Sequence, residues 1–189
     1  MCSPSMFWAA FGTHKEDRKE IEMTVKDPID TFVRLLSHVR ETTERSNTIY
    51  DELAKVAENP QISEALSARA FIRSTQLAKI DEAFRLIDKT PVELPGTIRE
   101  TFLEDFRKEV AVFETPAAKK IFVLAKLMHL AHWKIGEWKA LVAAADFTGN
   151  YAVGVLLESC LADDMTFAER TRKILRKLAE VKIAAKVAG

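Results

Sequence analysis

The sequence is poor in the residues that interrupt long helices or build disulfide frameworks. Its 189 residues include only six glycines, six prolines and two cysteines. So few turn-forming residues argue against a many-stranded protein and favour long helices. Cys2 and Cys160 are far apart and form neither a disulfide framework nor a CxxC zinc pattern. We therefore expect a reducing compartment, with Cys160 as a small core residue.

The sequence also lacks a net charge and a hydrophobic run long enough to cross a bilayer. Lys plus Arg total 28, as do Asp plus Glu, so charge does not indicate nucleic acid or an anionic membrane as a partner. No stretch approaches the ~18 uncharged apolar residues of a membrane span, and the apolar segment 6–11 is too short for a signal peptide. We therefore expect a cytoplasmic protein that binds neither nucleic acid nor a membrane.

Motifs that carry common chemistries are missing as well. The sequence has no GxGxxG, no P-loop, no GxSxG and no HExxH. His129 and His132 could share a helix face and bind a transition metal, but no dependable third ligand accompanies them. Cys160 has no convincing basic partner that would activate its thiol. We therefore predict no catalytic residues, no bound metal and no cofactor.

What the sequence does contain is four long stretches with apolar residues at every third or fourth position. That spacing predicts four helices with one buried face each. Pro28, Pro60 and Pro116 each follow a residue that can cap a helix, so they mark three helix starts. Residues 148–150 separate the third helix from the fourth, and a shorter amphipathic segment lies within residues 98–113.

The lengths of the connections predict how these helices are arranged. The first and second helices are joined by a short link, as are the third and fourth, so each pair should form an antiparallel hairpin. A longer crossover, which holds the short helix, joins the two hairpins. The predicted fold is therefore all-α: a ferritin-like four-helix bundle over residues 28–189, preceded by an N-terminal tail or short helix at residues 1–27.

Each of the four apolar stripes is interrupted near its middle by polar residues. The interrupting residues are Thr43 and Ser46 in the first stripe, Arg69 and Arg73 in the second, His132 in the third and Asp163 in the fourth. Because buried polar groups cost free energy unless they are paired, interruptions at similar depth predict one shared internal site. Two interpretations of the arginines remain open. Their stems could pack at the stripe edge with the charged heads in water, or they could pair internally with Asp163.

Five stretches of the chain match one family pattern in order and spacing. They are LAKVAENPQI at residues 53–62, QLAKIDEAFRLIDKTP at 76–91, HWKI at 132–135, LLE at 156–158 and the pair Asp163-Asp164. Together they resemble the YciE/YciF-type ferritin-like family of bacterial stress-associated proteins, across roughly residues 30–178. The resemblance implies a helical bundle of the dimetal-carboxylate type, found in proteins whose biochemical role is undetermined.

Position by position, however, the chain departs from the ligand set that this resemblance implies. The first family Glu falls at Thr43, and the His-x-x-Glu pair falls at Arg69 and Ile72. The Glu that precedes the retained His132 falls at Ala131.

Of the implied ligands, only His132 and the acidic Asp163 remain, and two ligands cannot hold two divalent ions. Arginine at a ligand position also repels cations, because the guanidinium is always protonated. A shift of the alignment within the first helix would bring Glu44 or Glu41 closer to the site.

Two classes of function follow from these observations. The first is a non-enzymatic bundle with a degenerate metal site, which acts through self-association or partner binding in a stress response. The alternative is a di-iron or di-manganese type oxidoreductase, or a metal-binding protein, with ligands rearranged around His132, Asp163, Asp164 and Glu44. The arginines at ligand positions favour the first class.

Large apolar residues also occur outside a single stripe on each helix. These residues are Phe7, Trp8, Phe11, Phe102, Phe106, Phe113, Trp133 and Trp138. Because exposed apolar patches commonly mark interfaces, we expect self-association, most simply as a symmetric homodimer.

Overall fold

The computed structural model describes residues 27–94 and 98–187, with side chains described for residues 27–94 and 101–178. Five helices account for most of these residues: α1 (Pro28–Ala57), α2 (Pro60–Leu86), α3 (Ile98–Val110), α4 (Pro116–Phe147) and α5 (Tyr151–Val187). No strand occurs in the described ranges, which confirms the predicted all-α fold. The tail predicted at residues 1–27 lies, except for Asp27, outside the described residues.

Three of the long helices begin where the sequence predicts. The side chains of Asp27, Asn59 and Thr115 each accept a hydrogen bond from a backbone amide in the first turn, at 2.9, 3.1 and 3.2 Å. A proline follows each of these capping residues, at a position where its missing N–H has no helical partner to lose. Local sequence therefore fixes these helix starts.

The two hairpin links are short and contain left-handed backbone. Glu58 has φ 45° and ψ 40° in the two-residue link between α1 and α2. Gly149 has φ +74° in the link between α4 and α5. Glycine adopts this conformation without the steric cost that a side chain would add, which accounts for its place at the second turn.

The four long helices form a bundle in which each packs against two others. α1 contacts α2 and α4, and α5 contacts the same two helices, while α3 packs against α1. Arg40 of α1 donates a hydrogen bond to Asp81 of α2, and Arg73 of α2 donates one to Tyr50 of α1. The later residue of α1 thus meets the earlier residue of α2, so the two helices run antiparallel. Among the described helices, none combines the length and apolarity needed to cross a membrane.

A layer of polar side chains divides the core of this bundle into two apolar clusters. One cluster includes Leu53, Leu66, Leu127 and Phe167, and the other includes Leu36, Phe84, Trp138 and Leu157. Each long helix passes from one cluster to the other. The buried polar residues that lie between them, here called the polar layer, are Thr43, Ser46, Arg69, Arg73, Gln76, Lys134 and Asp164.

The apolar residues that suggested self-association have different environments. Phe106 and Trp138 are buried at 1% and 0% exposure, so they belong to the core of the chain and cannot supply an interface. Trp133 is 42% exposed, whereas Phe102 and Phe113 are half-buried. The remaining three, Phe7, Trp8 and Phe11, lie outside the described residues.

Candidate functional site

An ion pair between Arg69 of α2 and Asp164 of α5 lies at the centre of the polar layer. Both side chains are completely enclosed. The indole N–H of Trp138 donates a hydrogen bond to the Asp164 carboxylate, and the Gln76 amide donates to it at 3.4 Å. The same amide also donates to the Cys160 carbonyl at 3.1 Å. The buried carboxylate is thus bound from α2 and α4, which limits the cost of removing it from water.

Aromatic rings line the other side of the two guanidinium groups. Arg73 donates a hydrogen bond to the Tyr50 hydroxyl at 2.6 Å, and its guanidinium carbon lies 5.4 Å from the centre of that ring. The guanidinium carbon of Arg69 lies 4.8 Å from the centre of the Phe167 ring. Cations at these distances are attracted by the faces of the rings, most strongly where water is excluded.

The buried charges shift the ionisation of their neighbours. Burial, together with the nearby positive charge of Arg73, lowers the pKa of Arg69 to about 10, so Arg69 remains protonated at neutral pH. Burial alone would raise the pKa of Tyr50. The two arginines outweigh that effect and hold the Tyr50 pKa below its ordinary value.

A second ionic group extends the polar layer toward α4 and α1. The Lys134 amine donates a hydrogen bond to the Thr42 hydroxyl and pairs with Glu137 at 2.7 Å. Burial lowers the pKa of Lys134 to about 8, partly opposed by Glu137. Burial would raise the pKa of Glu137, but a contact of 3.4 Å with His38 and the charge of Lys134 hold it below its ordinary value.

The structure corrects the prediction that Asp163 is the internal acid. Its side chain is 35% exposed and pairs with Lys79 at 3.5 Å near the surface. The next residue, Asp164, points inward instead and is fully buried. Both positions fit a stripe that continues from Cys160 to Phe167, because steps of three and four are equally helical. Spacing alone therefore could not choose between the two acids.

His132 is also placed differently from the prediction. It is exposed, and its ring Nδ1 lies 2.8 Å from the Met128 carbonyl of its own helix. The buried face of α4 runs through Ala131, Lys134 and Trp138, so Lys134 enters the polar layer where a histidine was expected. The stripe predicted for α4 lies on a different face from the one that is buried, because this helix carries apolar residues on more than one face.

The other three predicted site residues lie in the polar layer. Thr43, Arg69 and Arg73 are 1%, 1% and 2% exposed. The interpretation in which the arginine heads reach water is therefore wrong. The Thr43 hydroxyl has no hydrogen-bond partner among the described residues.

Sequence reasoning did not assign four residues of this site. These residues are Tyr50, Gln76, Lys134 and Trp138. Tyr50 and Trp138 lie on predicted stripes, where an aromatic side chain is expected to be an ordinary residue of the hydrophobic core. Gln76 lies seven residues after Arg69, close to two helical turns, and this spacing is the signal that could have found it.

The donor set does not suit the dimetal centre that the resemblance implies. Among the described residues, no three His, Cys, Asp or Glu side chains are grouped so that they could hold a metal ion. The buried Asp164 is already paired with Arg69, and a second guanidinium, Arg73, lies in the same layer. Two fixed cations repel divalent metal ions. The residues present therefore do not fit such a centre.

The fold and the site together define an all-α helical bundle with a buried ion pair between two of its long helices. The chain belongs to the family described as Domain of unknown function (DUF892), whose model matches residues 27–187. No protein with curated function matches this sequence.

Solved structures of similar fold include three bacterial proteins. The stress protein YciF of E. coli is 17% identical, with a TM-score of 0.76, and the match covers 82% of this chain and 99% of YciF. YcfI of Rhodopseudomonas palustris is 12% identical, with a TM-score of 0.74 and coverage of 80% and 96%. A Xanthomonas campestris protein is 13% identical, with a TM-score of 0.66 and coverage of 85% and 99%. These results confirm the resemblance to the YciE/YciF-type family and its fold.

Proposed function

We propose that this protein is a non-catalytic helical bundle, held together internally by ionic and hydrogen bonds in place of a metal centre, that acts by self-association. The observation that carries this proposal is the enclosed Arg69–Asp164 pair between α2 and α5. A guanidinium at this depth supplies the positive charge that a metal ion would otherwise contribute among these helices.

Metal content tests the first half of this proposal. We expect protein purified after expression in medium rich in iron and manganese to contain far less than one metal ion per chain by elemental analysis. The reason is that the Asp164 carboxylate is already paired with Arg69, and that both Arg69 and Arg73 repel a metal cation electrostatically.

Near-stoichiometric iron, manganese or zinc would instead favour the alternative function, a metal-dependent oxidoreductase or metal-binding protein. The ligand set for that alternative was His132, Asp163, Asp164 and Glu44. In the structure each of them has another partner: the Met128 carbonyl, Lys79, Arg69 and Arg40. A metal held by the three acids would have to displace Lys79, Arg69 and Arg40. The contact of His132 uses Nδ1 and would leave Nε2 as its ligand atom.

Within the described part of the chain, an apolar region suited to self-association lies at the junction of α4 and α5. Phe147, Tyr151 and Val155, here called the apolar end, are 80%, 67% and 69% exposed where α4 meets α5. Tyr151 and Val155 share a face of α5 because they are four residues apart. Phe147 also lines a cavity of about 570 Å³ between the start of α1 and the end of α4. Large exposed apolar residues close together are typical of interfaces.

We therefore propose that the apolar end pairs with the same region of a second copy, which is the simplest closed arrangement. Light scattering at high micromolar concentration should show a dimer for the wild type. The double substitution Phe147→Asp and Val155→Asp should give a monomer, because two buried unpaired charges would oppose association.

Phe71→Asp is the matched control, since Phe71 is 76% exposed but lies on α2. This variant should remain dimeric. A monomeric wild type would contradict self-association itself. A dimer that persists in the double variant would show that another surface forms the interface.

The biological setting is proposed from the family. YciF carries the description of a stress protein, and this chain shares its fold. We propose a role in a stress response for this protein too, exerted through assembly of the bundle. Loss of the gene should then impair survival under stress, and the monomeric double variant should fail to restore it while Phe71→Asp restores it.

A further inference from the structure

The polar layer and its ionic extension contain more positive than negative charge. Arg69, Arg73 and Lys134 are 1%, 2% and 8% exposed. Against these three cations stand two carboxylates, Asp164 and Glu137, with side chains 0% and 11% exposed. An unbalanced charge in a protein interior is costly, and interiors rarely retain one without a partner.

The excess charge is localised at Arg73. Arg69 pairs with Asp164 and Lys134 pairs with Glu137, whereas the described structure gives Arg73 no carboxylate partner. Its hydrogen bond goes to the Tyr50 hydroxyl, which is an uncharged acceptor while protonated. Two other acids of these helices have partners of their own, since Glu41 pairs with Arg45 at 2.8 Å and Asp163 pairs with Lys79 at 3.5 Å.

Unused hydrogen-bond donors accompany this excess charge. The Nε and Nη1 atoms of both Arg69 and Arg73 are inaccessible to solvent and have no hydrogen-bond partner within the described part of the chain. A buried donor without an acceptor loses its hydration and gains nothing in return. Four such N–H-bearing atoms on two neighbouring guanidinium groups form a site for an acceptor that carries negative charge.

We propose that the core binds one small monovalent anion, of the size of chloride, between the guanidinium groups of Arg69 and Arg73. One negative charge balances three cations against two carboxylates. The anion is small because the donor atoms are enclosed on all sides, so that a ligand with a polar tail would have no route to water. It gives the unused guanidinium donors a charged acceptor in a layer that lies between two apolar clusters, where an unpaired charge is costly.

Halide-dependent stability tests this site in the intact protein. The melting temperature of the wild type is measured in sodium chloride and in sodium gluconate at equal ionic strength. Because a ligand that binds only the folded state stabilises it, chloride should raise the melting temperature by roughly 5–10 °C once it exceeds its dissociation constant about 100-fold. Equal melting temperatures in the two salts would overturn the proposal.

A matched pair of variants locates the effect. Arg73→Met removes the excess charge and should abolish the difference between chloride and gluconate. Arg34→Met makes the same substitution at an exposed position of α1 and should keep the difference. A chloride effect that survives Arg73→Met would show that the anion binds elsewhere and would overturn the assignment.

Crystals grown in bromide give an answer that does not depend on whether a variant folds. An anomalous scattering peak between Arg69 and Arg73 in the wild type supports the site. Ordered water there, without anomalous signal, would overturn it. A tyrosinate signal in the near-ultraviolet spectrum at neutral pH would also overturn the proposal if the Tyr50→Phe substitution removes that signal. An ionised Tyr50 would itself supply the missing negative charge.

Discussion

Lys134 shows how a single buried charge links stability to pH. Its folded-state pKa is lowered to about 8, mainly by burial. In the unfolded chain, lysine keeps its ordinary pKa of about 10.4. Between these two values the unfolded state binds more protons than the folded state, so the free energy of unfolding rises with pH. The lowered pKa of Tyr50 acts in the same direction.

We therefore expect the free energy of unfolding, measured with urea, to rise by about 2 kcal/mol between about pH 7.5 and about pH 9.5. Lys134→Met should remove most of this rise. Lys139→Met, at an exposed position of the same helix, should leave it unchanged. A wild-type profile that is flat or falls over this range would contradict the burial of a charged Lys134.

The site was predictable from the sequence only in part, and the reason lies in helix phase. Arg69 and Arg73 interrupt a clear apolar stripe, so an internal position was one of the two interpretations that the sequence left open. Asp163 and Asp164 are adjacent and differ by about 100° around the helix axis, yet both satisfy the spacing. Only the packing of α5 against α2 and α4 decides which acid faces inward.

At the scale of the helices, Gly136 is a weak point in α4. A Cβ atom built at Gly136 would meet nothing within 4 Å, and the residue is exposed. Glycine within a helix loses more backbone entropy on folding than alanine does. Gly136→Ala should therefore raise the free energy of unfolding by about 0.5–1 kcal/mol, as measured in urea.

Gly154 of α5 provides the contrasting position for this prediction. A Cβ there would lie 3.1 Å from the Asp146 Oδ1 atom, at a buried place between α4 and α5. Gly154→Ala should give a smaller gain or a loss, because the Asp146 side chain must move. Equal stabilisation by both substitutions would show that the α4–α5 contact is looser than the structure indicates.

Helix boundaries were more predictable than helix faces. The starts of α1, α2 and α4 follow from a capping side chain and a proline, which act within one turn of the chain. The buried face of α4 depends instead on contacts with α1 and α5. His132 was expected inside because it interrupts an apolar stripe at helix spacing, whereas in the packed helix Lys134 faces inward.

For the molecule as a whole, the bundle was predictable because its signals are repeated in every helix. Each long helix has an apolar stripe, and each stripe is interrupted where the polar layer lies between the two apolar clusters. The role of the molecule was less predictable, because the sequence identifies neither a substrate nor a partner. A balanced net charge gives no guide to a partner.

We propose that the buried Arg69–Asp164 pair organises the interior in place of a metal centre. The free energy of unfolding tests it in four proteins: wild type, Asp164→Leu, the double variant Arg69→Met with Asp164→Leu, and Asp163→Leu as the surface control. Asp164→Leu leaves the buried Arg69 guanidinium without its carboxylate partner, so it should lower the free energy of unfolding by about 3–5 kcal/mol. The double variant should recover most of that loss.

Asp163→Leu removes an acid from a partly exposed pair with Lys79, so its effect should stay under about 1 kcal/mol. Equilibrium urea unfolding of these four proteins is the most direct measurement. We predict a large loss of stability in Asp164→Leu, most of which the added Arg69→Met substitution recovers. A loss in Asp164→Leu no larger than that in Asp163→Leu, or a double variant less stable than Asp164→Leu alone, would contradict it.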